Sequence, residues 1–182
     1  MTMTEKQLTS TSKLMSLVLR HNPGKIGITL DKNGWASTQA LIEGINRAGH
    51  TIDLEWLKYV VQNNDKQRFK FNEDYSLIRA SQGHSVAVDV ELVATRPPAT
   101  LYHGTATRFL ASINKSGLIA KKRLHVHLSS DKLTAEQVGG RHGQAVVLII
   151  NAAQMHSDGF KFYLSDNGVW LTQAVPAQYI TQ

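Results

Sequence analysis

The sequence predicts an α+β fold in two lobes, and three observations carry that reading. Apolar residues recur at helical spacing through the first 80 residues, short β-rich runs dominate after residue 100, and Pro97 and Pro98 stand between them. In chain order, Leu8, Leu14, Leu17 and Val18 give a helical stripe from about Thr4 to Arg20, which His21-Asn22-Pro23-Gly24 breaks. Gly27 to Leu30 reads as a short strand and Asp31-Lys32-Asn33-Gly34 as a turn. Ser37 caps a helix whose Leu41, Ile42 and Ile45 share a face until Gly49 stops it. Asp53 caps the next, with Leu54, Leu57, Val60 and Val61 at helical spacing. After Asn63-Asn64-Asp65, the stretch Arg68 to Ile78 alternates about Asn72-Glu73-Asp74 as a hairpin. Helices followed by a hairpin make residues 1–80 a winged-helix-like lobe.

Residues 81–99 lose periodicity and end in Arg96-Pro97-Pro98, a stiff extended connector. In the second lobe, 100–182, the strand signals are Leu101 to His103, Leu124 to Ser129, Ala145 to Ile150, Lys161 to Leu164 and Val169 to Thr172. A helix over Thr107 to Ser116 ends at Gly117, and Ala135 to Val138 is a short helical turn leading into Gly139-Gly140.

Composition narrows the chemistry. The chain of 182 residues is 42% hydrophobic, enough for a real core. Its longest apolar run, Ala145 to Ile150, falls far short of the ~18 residues a membrane span needs, so a cytoplasmic protein without membrane association is expected. Without cysteine there is no disulfide, no thiolate nucleophile and no Cys-ligated zinc. Twenty Lys and Arg against 14 Asp and Glu give a net charge of +6, which favours a polyanionic partner.

Several polar clusters are candidates for function. Arg20-His21 ends the first helix, where cations also settle simply because they complement the helix dipole. Arg68 opens a strand, and Arg141-His142 follows Gly139-Gly140, which reads either as close backbone approach to a ligand or as an ordinary turn. His103-Gly104-Thr105 lies between a strand and a helix, where backbone N–H groups and a hydroxyl meet ligands. His125 and His127 share a strand face with metal-ligand spacing, but a third ligand is missing and no metal is expected. Gln82-Gly83-His84-Ser85 is a polar cluster that also reads as a plain loop.

Taken in order, nine blocks resemble the RNA 2′-phosphotransferase family, NAD⁺-dependent enzymes that remove the splice-junction 2′-phosphate of tRNA. The blocks are Ser12-Lys13-Leu14, Leu19-Arg20-His21-Asn22-Pro23, Leu30-Asp31-Lys32-Asn33-Gly34-Trp35, Asn64-Asp65-Lys66-Gln67-Arg68-Phe69 and Gln82-Gly83-His84-Ser85 in the first part of the chain. Leu101-Tyr102-His103-Gly104-Thr105, His125-Val126-His127-Leu128-Ser129, Val138-Gly139-Gly140-Arg141-His142-Gly143 and Asn167-Gly168-Val169-Trp170-Leu171-Thr172 follow. Ala36-Ser37 and Ala120-Lys121-Lys122 depart from the family pattern. The resemblance implies a second lobe similar to the NAD-binding fold of ADP-ribosyltransferases and an active site in the cleft between lobes. It also implies a catalytic tetrad, which falls on Arg20, His21, Arg68 and Arg141, and NAD⁺ contacts at His103, Gly104, Thr105, His127 and Ser129.

The implied reaction moves an internal RNA 2′-phosphate to NAD⁺ through an RNA-2′-phospho-ADP-ribose intermediate. It yields 2′-hydroxyl RNA, nicotinamide and ADP-ribose 1″,2″-cyclic phosphate. A phosphate of ~−1.5 to −2 charge suits cations that cannot titrate away, and guanidinium forks meet its oxygens bidentately. His21 either donates a hydrogen bond to the phosphate or shuttles a proton. The competing readings are a non-catalytic RNA-binding module and an ADP-ribosyltransferase acting on phosphorylated nucleic-acid ends.

Overall fold

The computed structural model describes residues 4–182, and it mixes helix and sheet as the sequence predicts. The chain divides into two compact units, Met1–Glu91 and Leu92–Gln182. Each has its own apolar core, one drawn from Met15 to Ala80 and the other from Leu101 to Tyr179. No helix among the described residues is long and apolar enough to cross a membrane.

In the first unit, helix α1 (Glu5–Arg20) starts on a capping box, with Thr4 and Gln7 each bonding the other's backbone N–H. Its Met15, Val18 and Leu19 are fully buried, roughly 1.5–3 kcal/mol of apolar transfer each. A short strand β1 (Ala36–Ser37) leads into α2 (Thr38–Arg47), capped by Ser37, and α3 (Leu54–Gln62) follows, capped by Asp53. The hairpin of β2 (Phe69–Phe71) and β3 (Leu77–Ala80) closes the unit, and β1 adds antiparallel to β3, giving the order β1-β3-β2.

Two expectations change here. Gly27 to Leu30 is not a strand: Pro23, at the first position of a 3₁₀ turn Pro23–Ile26, commits the chain to helical geometry, and Gly27 at φ 72° ends it. Ile28 still enters the core, which is the apolar signal the strand reading used. The segment 81–99 is divided between the units. Residues up to Glu91 are tied into the first one: Ser85 and Asp89 donate backbone N–H groups to the carbonyls of Arg20 and Lys32, and Arg79 bonds Glu91 at 3.3 Å.

In the second unit, β4 (Thr100–Ala106) runs into a 3₁₀ turn, Thr107–Phe109, and α4 (Leu110–Ser116), so the expected single helix is split. Next come β5 (Leu118–Ile119), β6 (Val126–Leu128) and α5 (Lys132–Gly140). The chain continues through β7 (Ala145–Asn151), α6 (Ala152–Ser157), β8 (Phe162–Leu164), β9 (Trp170–Thr172), β10 (Ala174–Val175) and β11 (Ile180–Thr181). Two antiparallel three-stranded sheets, β11-β7-β4 and β6-β9-β8, and the pair β10-β5 result. The two sheets are laced at Tyr102 and Ser129, which exchange backbone hydrogen bonds of 2.7 and 2.8 Å.

Candidate functional site

The first unit draws Arg20, His21 and Arg68 to one short segment of chain, Ser81 to Val86. Arg20 is the last residue of α1, and its carbonyl accepts from the backbone N–H groups of Ser85 and Val86 at 2.9 and 3.4 Å. That loop therefore caps a helix end whose carbonyls lack partners of their own. Gly83, at φ 90°, lies so close to the Arg20 guanidinium that a Cβ there would stand 3.5 Å from Cζ. His21 is exposed, and its Nδ1 shares a hydrogen bond of 2.9 Å with Ser85 Oγ. Arg68 accepts at its carbonyl from the Ser81 N–H at 2.9 Å. Buried Asn64 accepts from the Arg68 N–H and Nη1 at 3.3 and 3.4 Å and donates to Ser12 Oγ of α1 at 2.8 Å.

Beneath the rim lies His84, 1% exposed, its Nε2 without a hydrogen-bond partner and aimed at Gly34, where a Cβ would stand 3.3 Å away. Burial first, then the charges of Arg20, His21 and Arg79, push its pKa down to about 4, so the imidazole is neutral near pH 7. Arg79 is itself held by the Asn33 carbonyl at 3.1 Å and by the Trp35 ring 4.5 Å beneath its guanidinium. In the sequence Ser12 and Asn64 carry no signal of a site, and His84 and Ser85 only that of a polar cluster. Periodicity is blind to pairings across 64 residues such as His21 with Ser85.

The remaining expected residues lie in the second unit. His103, on β4, donates from Nδ1 to the His127 carbonyl at 2.9 Å, because a carbonyl can only accept. Burial first, then the charges of His142 and Lys121, lower its pKa against the opposing pull of that carbonyl. The ring is therefore neutral, with Nε2 left as an acceptor. Arg123 donates to His127 Nδ1 at 3.3 Å. Thr105 is buried. The Ser129 hydroxyl accepts from the Asp131 N–H at 3.0 Å and donates to its carbonyl at 2.9 Å, building the turn that Asp131 then caps as α5. Arg141 is exposed at the C-cap of α5.

Gly139-Gly140 is not an ordinary turn, since both glycines belong to α5. A Cβ on Gly104 would fall 1.6 Å from the Ala135 carbonyl oxygen, and one on Gly139 would fall 2.5 Å from that of Thr105. The pair Gly104 and Gly139 lets α5 lie against β4, backbone on backbone. His125 packs edge-on against Tyr163 at 5.7 Å, and among the described residues no group of three His, Asp or Glu could hold a metal.

In chemical terms the first unit offers two arginines and an exposed imidazole, together with a buried neutral histidine. The second offers a neutral imidazole acceptor and exposed Arg141. Comparison with known proteins agrees in covering both. A family model described as "RNA 2′-phosphotransferase, Tpt1 / KptA family" matches residues 6–174. The chain is 54% identical over 178 residues to a protein of Flavobacterium johnsoniae, covering 98% of each chain. It is 53% identical over 178 residues to one of Rhodopirellula baltica, covering 97% of each. A protein of Agrobacterium fabrum is 53% identical over 173 residues, 95% of this chain and 93% of that one. All three bear the name "Probable RNA 2′-phosphotransferase".

Proposed function

The chain belongs to the RNA 2′-phosphotransferase, Tpt1 / KptA family, and from that membership we propose that it transfers an internal 2′-phosphate of RNA to NAD⁺. The observation that carries the proposal is that Arg20, His21 and Arg68 all meet the Ser81 to Val86 loop, the arginines through their backbone carbonyls and His21 through Ser85 Oγ, which brings three residues able to bind an anion to one segment. On this reading the first unit is a winged-helix-type module and the second an ADP-ribosyltransferase-like NAD⁺ module. The helix, strand, two-helix and hairpin order of the one and the laced sheets of the other support it. An enzyme that consumes NAD⁺ works where NAD⁺ is held, in the cytoplasm.

The residues fit the co-substrate at His103, whose Nε2 lone pair can accept from a ribose hydroxyl; Thr105 lies on the same strand, β4, and His127, whose carbonyl His103 holds, lies on β6. Gly104 contributes through packing and Ser129 through the turn it builds. In the first step a 2′-phosphate oxygen bonds to the ribose C1″ and the C–N bond to nicotinamide breaks, the electron pair leaving with neutral nicotinamide. In the second, O2″ of the ADP-ribose attacks the same phosphorus, the bond from phosphorus to the RNA 2′-oxygen breaks, and the O2″ proton ends on that oxygen. Arg20 and Arg68 hold the phosphate as guanidinium donors, and His21 donates to it or relays the proton. Arg141 stabilises the charge that builds on the phosphoryl oxygens in the second step, worth ~10²- to 10³-fold.

The test is an oligoribonucleotide bearing one internal 2′-phosphate, incubated with the protein with and without NAD⁺, following RNA mass and nicotinamide release. Loss of phosphate only with NAD⁺ is expected. Intact RNA and intact NAD⁺ would leave a binding module, and ADP-ribose retained on the RNA an arrested transferase. In Arg141→Ala the first step should persist and an RNA-phospho-ADP-ribose species accumulate. Equal slowing of both steps would refute this division of roles.

A further inference from the structure

The two units carry unequal charge. The first has 11 Lys and Arg against 10 Asp and Glu, a net +1, whereas the second has 9 against 4, a net +5. Two cations of the first unit are also met internally, Lys58 by Glu55 at 2.9 Å and Arg79 by Glu91. Nearly all the excess that favours a polyanion thus belongs to the second unit, although the first has the helices and hairpin expected of a nucleic-acid reader.

Within the second unit four of the nine cations lie together. Lys121-Lys122-Arg123 forms the turn between β5 and β6, closed by the Arg123 N–H to the Ala120 carbonyl at 3.0 Å. Lys121 adopts φ 54°, a left-handed conformation that a residue other than Gly, Asn or Asp rarely takes. Its Nζ sits 5.2 Å from the Phe109 ring centre, and the Arg108 guanidinium lies 4.8 Å from the same centre. Arg108, Lys121, Lys122 and Arg123 are all exposed. Cations interleaved with an aromatic ring are the pattern that meets a nucleic-acid strand. The two phosphates of a dinucleotide are bound where most of the ligand is enclosed, whereas the phosphates of a polymer are met at an open surface.

We infer that the second unit supplies the electrostatic footing for RNA, with Arg108, Lys121, Lys122 and Arg123 taking phosphodiesters of the substrate strand. The inference rests on RNA being the substrate, as proposed above. Its test uses the full chain carrying Lys121→Asn and Lys122→Gln, asparagine being chosen because it tolerates a positive φ. The first readout is fluorescence anisotropy of an unphosphorylated 12-nucleotide RNA across a salt series. Each lost phosphate contact takes about 0.7 from the slope of log affinity on log salt, so the pair should lose about 1.4 and bind about tenfold more weakly. The second readout is kinetic: KM for 2′-phosphorylated RNA should rise by a similar factor with KM for NAD⁺ unchanged. Lys121→Arg with Lys122→Arg should bind as the parent does.

A rise in KM for NAD⁺ with RNA affinity intact would assign these cations to the dinucleotide and overturn the inference. Equal weakening in Lys25→Gln with Lys32→Gln, exposed lysines of the first unit, would do so as well, by showing a diffuse charge effect. Loss of binding in the arginine pair would indicate packing instead. If the parent binds RNA with the expected salt slope yet leaves the 2′-phosphate in place, the activity falls and this inference stands. If turnover is present and the variants bind RNA normally, the reverse holds.

Discussion

The space under Arg20 and His21 accepts an imidazole only in its neutral form. His84 is 1% exposed and hemmed by three cationic residues, and its pKa is pushed down to about 4. Unfolded, the same side chain would titrate near ~6.5. Between those values the unfolded chain binds a proton that the folded one refuses, so stability is intact above about pH 6.5 and falls as pH drops toward 4. The full difference is on the order of 3 kcal/mol. Urea unfolding at pH 7 and pH 4.5 should show a loss that His84→Gln largely removes; an equal loss in that variant would place the acid sensitivity elsewhere. Half-buried His103 and His125, also shifted down, remain in both proteins and so cancel in the comparison. Ser85 acts one step closer to the chemistry, since its hydroxyl holds His21 Nδ1. Ser85→Ala should lower kcat about tenfold, the ~1.4 kcal/mol of one hydrogen bond, with KM for RNA little changed and Ser85→Thr restoring the rate. An unchanged kcat in the alanine variant would end that role.

Among the elements, α5 and β4 depend on a glycine pair in place of interlocking side chains. Gly104→Ala would set a methyl 1.6 Å from a carbonyl oxygen that belongs to a helix backbone, so the whole element must shift. A cost of about 3 kcal/mol or more is expected, against a gain of up to about 1 kcal/mol for Gly140→Ala, where nothing lies within 4 Å of the added atom. Chemical denaturation of the two variants checks both signs, and a tolerated Gly104→Ala would mean that α5 can move freely from the strand. This contact shows what the sequence could not reveal. The helical stripe from Leu8 to Val18, the caps Ser37 and Asp53 and the alternation of the hairpin are local signals, and the helices and strands they mark are present. The two-residue strand β1 is too short to alternate, and its pairing with β3 joins residues 42 apart, Ala36 and Ile78. In the same way Arg20, His21 and Arg68 were legible as cations at element ends, but Ser85, Asn64 and His84 become site residues only once the chain has folded back.

For the molecule as a whole, two separate apolar cores mean that each unit can be stabilised on its own account. A ligand stabilises what it binds by RT ln(1 + [L]/Kd), about 2.7 kcal/mol at 100 times Kd, which slows amide exchange by about a hundredfold wherever exchange requires that unit to open. With NAD⁺ on His103 and the strands around it, protection should rise in β4, β6 and β7 and stay unchanged in the core of α1, α2 and α3. Hydrogen exchange followed by mass spectrometry, with NAD⁺ alone and then with a 2′-phosphorylated oligoribonucleotide alone, separates the two halves of the proposal. If the proposal holds, the RNA should protect the Ser81 to Val86 loop and the end of α1, where the phosphate is proposed to bind, and also the turn at Lys121 to Arg123, where the strand is inferred to lie. NAD⁺ protection centred on the first unit would reverse the assignment of the two substrates, because neutral His103 would then have no ligand to meet. RNA protection confined to the first unit would separate the catalytic phosphate from the charged surface, leaving +5 of the protein's +6 charge unused in binding.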